Sequence, residues 1–151
     1  MTALTRRRNN EPHREGWRIF HGDIQVGTIA RRAGVPLDAE QWSWTCGFYP
    51  GLEPGQTRAG SAPSYEAARS EFERAWRQLL PELAPESFET YRRHLAFERW
   101  KQCMWKEGFK MPTQLTGGRS QCFCGTPIDV ASTEQHVYQA HMALATEDQF
   151  P

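Results

Sequence analysis

No lysine or arginine occurs after Arg119, and the chain as a whole has no net charge, its 18 basic residues balancing 18 acidic ones. A neutral chain sets up no global field to draw in nucleic acid or an anionic membrane. No stretch approaches the roughly 18 consecutive apolar residues of a membrane span, so no membrane association is expected. A phosphate loop, a dinucleotide fingerprint and internal repeats are all missing, which removes the commonest nucleotide-dependent activities. Apolar residues are themselves scarce, at 38% of 151 residues with a mean hydropathy of -0.72. Six Trp and eight Phe partly compensate, because each aromatic buries about 150–250 Å². The expectation is a modest aromatic core with polar segments around it.

Charge is unevenly spread. Residues 1–16 carry a net +2, residues 17–84 a net -1, residues 85–119 a net +3 and residues 120–151 a net -4. The first sixteen residues have positive charge without an apolar stretch behind it, which is not the pattern of an export signal. They read as a disordered basic tail whose Arg6, Arg7 and Arg8 could touch phosphates. A cytoplasmic location follows as the expectation. In that reducing setting four Cys are read as metal ligands before disulfides.

An α+β domain is expected over residues 17–108. Residues 17–21 and 24–29 predict two strands about a Gly22-Asp23 turn, Gly at the first central position suiting a type II′ hairpin. Residues 41–49 alternate cleanly, with Trp42, Trp44, Cys46 and Phe48 on one face. Residues 50–63 hold six Pro and Gly and predict an irregular loop, long enough to serve binding. Ser64 should cap a helix to about residue 80, whose apolar stripe is Tyr65, Ala68, Phe72, Ala75, Trp76 and Leu79. A second long helix is expected over 86–107, with Pro85 in its first turn. Its apolar set, from Phe88 to Trp105, is wider than one stripe and implies two neighbours or a partner. The fold class is thus a three-stranded antiparallel sheet covered by a helix, a second long helix, and a small zinc-stabilised C-terminal segment. Residues 109–121 read as a linker.

That segment, 122–151, carries the clearest chemistry. Cys122 and Cys124 are separated by one residue, and His136 and His141 follow. Thiolate and imidazole are the ligands zinc prefers, and four of them close a tetrahedral structural site. Gly125 lets the chain turn around the metal, Ile128 is placed to cover it, and Ser132 with Gln135 makes a capping-box pattern for a helix bearing both histidines. The i, i+5 spacing puts the two histidines about 140° apart on an ideal helix, so its last turn must distort. A strained Cys122–Cys124 disulfide, or free thiols beside incidental histidines, are the alternatives.

The pattern resembles a two-Cys two-His zinc finger over about 20 residues, and that resemblance gives the same four residues the ligand roles. It departs from the family in the single residue between the cysteines and in a Cys-to-His gap one residue short. The WSW strand at 42–44 followed by SYEAARSEFERAW is similar to the sheet-reading DNA-binding domains of phage integrase N-termini and plant AP2 factors. Those read DNA with a basic sheet face, whereas Gln41, Ser43 and Thr45 offer no charge here. The stretch WRIF-GD-VGTI, with CGFYPG and FERAW, also resembles a family of small uncharacterised bacterial proteins, which brings no activity with it.

Catalytic residues are not expected, since Cys46 and Cys103 fall on apolar faces. The function expected is a small non-enzymatic accessory protein with a structural zinc, contacting a protein partner. The alternative is a DNA- or RNA-binding regulator using Arg6, Arg7 and Arg8 with Arg92, Arg99 and Lys106 of the second helix. Phosphate contacts need Lys and Arg, so the tail itself is a poor nucleic-acid reader.

Overall fold

The computed structural model describes residues 3–146, and these fall into two compact units divided between Phe88 and Glu89. Residues 1–2 of the expected basic tail and 147–151 of the expected zinc segment lie outside the described residues. The architecture is mixed α+β. Among the described residues no helix is long and apolar enough to cross a membrane.

The first unit is an antiparallel sheet in sequence order: β1 (Leu4–Arg8), β2 (Gly16–His21), β3 (Ile24–Arg31), β4 (Trp42–Cys46) and β5 (Arg58–Ala62). Helix α1 (Tyr65–Leu79) packs across β3, β4 and β5. The β2–β3 hairpin closes on Gly22, whose φ of 62° a side chain would resist. The β2–β3 register then passes from Phe20↔Gln25 to Ile19↔Gly27, leaving Val26 as the extra residue of a bulge. Gly27 lies under α1, where a Cβ would come within 2.6 Å of the Phe72 ring. Absence of a side chain at that point lets the helix seat closely. Trp42 and Trp44 meet α1 at Tyr65 and Phe72, with ring centroids 5.6 and 6.3 Å apart, and Trp44 donates its indole N–H to Glu71.

Ser64 caps α1 by accepting the Ala67 N–H at 3.1 Å. The helix buries Ala68, Phe72, Ala75, Trp76 and Leu79, the stripe the periodicity predicts. Each large member contributes about 1.5–3 kcal/mol by leaving water.

The sheet has five strands rather than the three expected. Leu4–Arg8, expected within a disordered tail, pairs with β2 along its length. Its guanidinium groups lie over the Trp17 and Phe20 rings, so charge does not keep the strand in water. Residues 58–62, expected as irregular loop, form β5. Small residues suit that edge because Trp44 fills the space a side chain would take: a Cβ on Gly60 would fall 2.9 Å from its indole.

Helix α2 (Pro85–Lys106) starts in the first unit, where Phe88 meets Phe48 and His21, and continues into the second. This division explains the width of its apolar set. The second unit adds a 3-10 turn (Pro112–Gln114), the β6–β7 hairpin (Arg119–Gln121, Pro127–Asp129), α3 (Thr133–Ala140) and a 3-10 turn (Met142–Thr146). Residues 109–121, expected as a linker, therefore hold regular structure. Ala96, Trp100 and Met104 of α2 share one core with Cys122, Ile128, Val137, Leu144 and Ala145. Most of the second helix thus belongs with the C-terminal segment, because that segment is too polar to bury its few apolar residues alone.

Candidate metal centre

Residues 122–126 link β6 to β7 in a tight turn. Cys122 donates its N–H to the Thr126 carbonyl and accepts the Gly125 N–H, both at 2.9 Å. Gly125 takes a φ of 97°, which brings the chain back toward Cys122. The Gln121 side-chain amide holds the Gly125 carbonyl at 3.0 Å. Cys122 is fully buried and Cys124 exposed.

The histidines come from opposite sides of a helix end. His136 lies within α3. His141 is its C-cap, and leaves the helix at φ -130°, ψ 20° while its N–H still reaches the Val137 carbonyl at 2.8 Å. This departure is the distortion that i, i+5 spacing demands. The start of α3 differs from expectation: Ser132 makes no side-chain cap to the helix. Instead Asp129 and Ser132 exchange bonds, the Ser132 N–H going to Asp129 Oδ1 (2.8 Å) and the Asp129 N–H to Ser132 Oγ (3.0 Å). Asp129 competes successfully for the hydroxyl because it sits three residues before it at the end of β7. The Ser132 hydroxyl, and then its backbone N–H, hold the Asp129 carboxyl below its ordinary pKa.

The result is one cluster. Donor atoms of Cys122, Cys124, His136 and His141 all lie within 4.8 Å of one another. Cys122 Sγ is 3.4 Å from His141 Nε2, and Cys124 Sγ is 3.5 Å from His136 Nε2. The imidazoles stand edge to face, 5.1 Å apart, and the Phe123 ring lies tilted against His141 at 4.9 Å. Such a group could hold a metal ion. None of the four cysteines forms a disulfide, so no such bond competes for the thiols.

Electrostatics differ at the two sulfurs. Burial pushes the Cys122 thiol up, whereas the Thr126 hydroxyl, 3.3 Å from Cys124 Sγ, lowers the Cys124 thiol by donating to its thiolate. Burial, then neighbouring His136, lowers the His141 pKa, favouring the neutral ring a metal needs.

One contributor has no signal in the sequence. Trp100 of α2, fully buried, donates its indole N–H to Cys122 Sγ at 3.2 Å. A buried Trp N–H needs an acceptor, but nothing in the spacing of residues 100 and 122 announces which.

The remaining candidates divide between the two units. Arg6, Arg7 and Arg8 lie on β1 in the first unit. Arg92, Arg99 and Lys106 lie on α2 in the second, and Arg99 donates to the Leu144 carbonyl. Glu89 pairs with Arg93 and Glu98 with Lys101, as i, i+4 and i, i+3 spacing suggests. Cys46 is fully buried, and burial raises its thiol to about 11; Cys103 packs against the second core.

Comparison with known proteins finds no matching family model, no matching curated protein and no matching solved structure.

Proposed function

We propose that Cys122, Cys124, His136 and His141 hold one zinc ion as a structural centre in a small non-enzymatic module that contacts a protein partner. The observation that carries this reading is the closed donor set. Zn–S bonds near 2.3 Å and Zn–N bonds near 2.0–2.1 Å place S and N about 3.6 Å apart in a tetrahedron. The two sulfur–nitrogen pairs, at 3.4 and 3.5 Å, fit that edge. Four protein ligands leave no open position for substrate or water, which favours a structural role over a catalytic one. Two thiolates also neutralise the ion's charge, which suits a site with one ligand fully buried. A reducing, cytoplasmic setting would keep those thiols available.

The partner surface we favour lies at the end of α2. Trp105 is 84% exposed, beside a hollow of about 320 Å³ lined by Met104, Phe109 and Met111 together with Lys101 and Lys110. An exposed Trp over a Met-rich hollow is typical of a binding hot spot. The lysines suit an acidic segment carrying one apolar anchor.

Freshly purified protein should contain about one zinc per chain. Chelation should remove it and lower the melting temperature, and Cys124→Ser should fail to retain the metal. Less than about half an equivalent of zinc, or a melt indifferent to chelator, would refute the reading.

A further inference from the structure

Helix α1 packs chiefly across β3, β4 and β5. Beside it, toward the β1 edge, the first unit holds a hollow of about 300 Å³. Its floor is apolar: Ile19, Ile29 and Phe72 line it, each no more than 5% exposed. Leu4 and Arg6 form the strand wall. Tyr65, Arg69 and Glu73, at four-residue steps on one flank of α1, form the helix wall.

Strand register puts Arg6 on the helix side of the sheet. Arg6 pairs with Ile19. Two residues before Ile19, on the same face, Trp17 pairs with Ile29 and through it with Trp44, whose ring meets Phe72 of α1. The Arg6 guanidinium reaches across to the helix, 4.1 Å from the Trp17 ring centre and 5.1 Å from that of Tyr65. Ring contacts use the face of a guanidinium and leave the N–H groups at its edge free to donate. Among the described residues those ring contacts are the only partners of Arg6. Arg69, in contrast, is paired with Glu73 at 3.0 Å. Two cations and one anion thus line the hollow, and the surplus positive charge is that of Arg6. An arginine that merely guarded an edge strand would stand out in water. This one is laid against two rings beside an apolar floor.

We propose that the hollow binds a small monocarboxylate with an apolar body of about eight carbons, its carboxylate on Arg6 and its hydrocarbon over Ile19, Ile29 and Phe72. The volume is that of about ten waters, at the small end of ligand pockets. Guanidinium takes a carboxylate in a two-bond fork, and the ring contacts already fix its orientation. One carboxylate cancels the single surplus charge. The second charge of a phosphate ester would go unanswered beside Glu73, and a neutral alcohol would make no ion pair at all. The metal cluster lies in the other unit and takes no part.

Octanoate titrated into the full-length, nitrogen-15-labelled protein, followed by amide shifts, tests the proposal. Ten ligand atoms support a dissociation constant below about 3 mM. Shifts should concentrate at residues 4–6 and 65–73. Arg6→Gln, at an exposed position, should keep the wild-type spectrum elsewhere and weaken octanoate about tenfold, the worth of a charge-assisted hydrogen bond. Octanol and octyl phosphate should both bind more weakly than octanoate. Any one of four results overturns the proposal: a dissociation constant above about 3 mM, shifts centred on Trp105 and Met111 instead, octanoate affinity unchanged in folded Arg6→Gln, or octanol or octyl phosphate binding at least as tightly as octanoate.

Discussion

Trp100→Phe separates packing from chemistry at the proposed metal centre. Trp100 is fully buried, and its N–H donates to Cys122 Sγ at 3.2 Å. Phenylalanine keeps an aromatic ring in the core but removes the donor and leaves a small void. The void should cost about 1–3 kcal/mol of stability. The lost hydrogen bond is worth about 1.5–3 kcal/mol when its acceptor carries charge. Only the part of that difference present with thiolate and not with thiol weakens metal binding. About 1.4 kcal/mol, or tenfold in zinc dissociation constant, is the expected result, consistent with the 10–100-fold effects typical of groups behind a metal ligand.

Two measurements check this together. Zinc affinity is read by competition with a chelator of known strength, on protein folded by circular dichroism. Cobalt substitution then reports the sulfur itself: without the N–H, the sulfur electrons rise in energy and the thiolate-to-cobalt charge-transfer band moves to longer wavelength. A variant that melts lower but keeps both wild-type zinc affinity and the wild-type cobalt band would show that Trp100 acts by packing alone. Tighter zinc binding would refute the argument outright.

Two further outcomes follow from the burial pattern. Burial raises the Cys46 thiol from its reference 9.0 to about 11, so the unfolded state releases its proton first and the fold loses stability as pH climbs from 9 to 11. The loss approaches about 2 kcal/mol, and urea melts of wild type against Cys46→Ala should diverge only in that window; parallel curves would contradict it. Trp105→Ser, at an 84% exposed position, should change stability by no more than about 0.5 kcal/mol. The same change should weaken binding of a synthetic acidic peptide bearing one Phe about 30-fold, and equal peptide affinity would remove Trp105 from the partner surface.

Where one face of an element decides its burial, the sequence is a good guide. The α1 stripe and the Trp42–Trp44 alternation are set by local period, and both lead directly to their packing. The four clustered Cys and His residues are legible for a related reason: their side chains have few uses so close together. The β1 strand is not legible, because three consecutive arginines look solvated until Trp17 and Phe20 are folded beneath them. Likewise β5 depends on Trp44 covering Gly60, a contact between residues 16 apart. Helix α2 could be outlined from its sequence but not assigned, since Phe88 serves one core and Trp100 another.

The spacing within each ligand pair accounts for the geometry of this centre. Cys122 and Cys124, two residues apart, must reach the cluster from a single turn. Gly125 reverses the chain there, leaving one sulfur buried beneath Trp100 and the other exposed beside Thr126. The histidines, five residues apart, cannot share a helix face, and the helix ends so that His141 can swing toward Cys122 while His136 meets Cys124. Each sulfur is thereby matched with its own imidazole. Added residues between the cysteines, or one fewer between the histidines, would break this pairing unless both changed together. The short cysteine spacing and the long histidine spacing are best understood as one mutual adjustment.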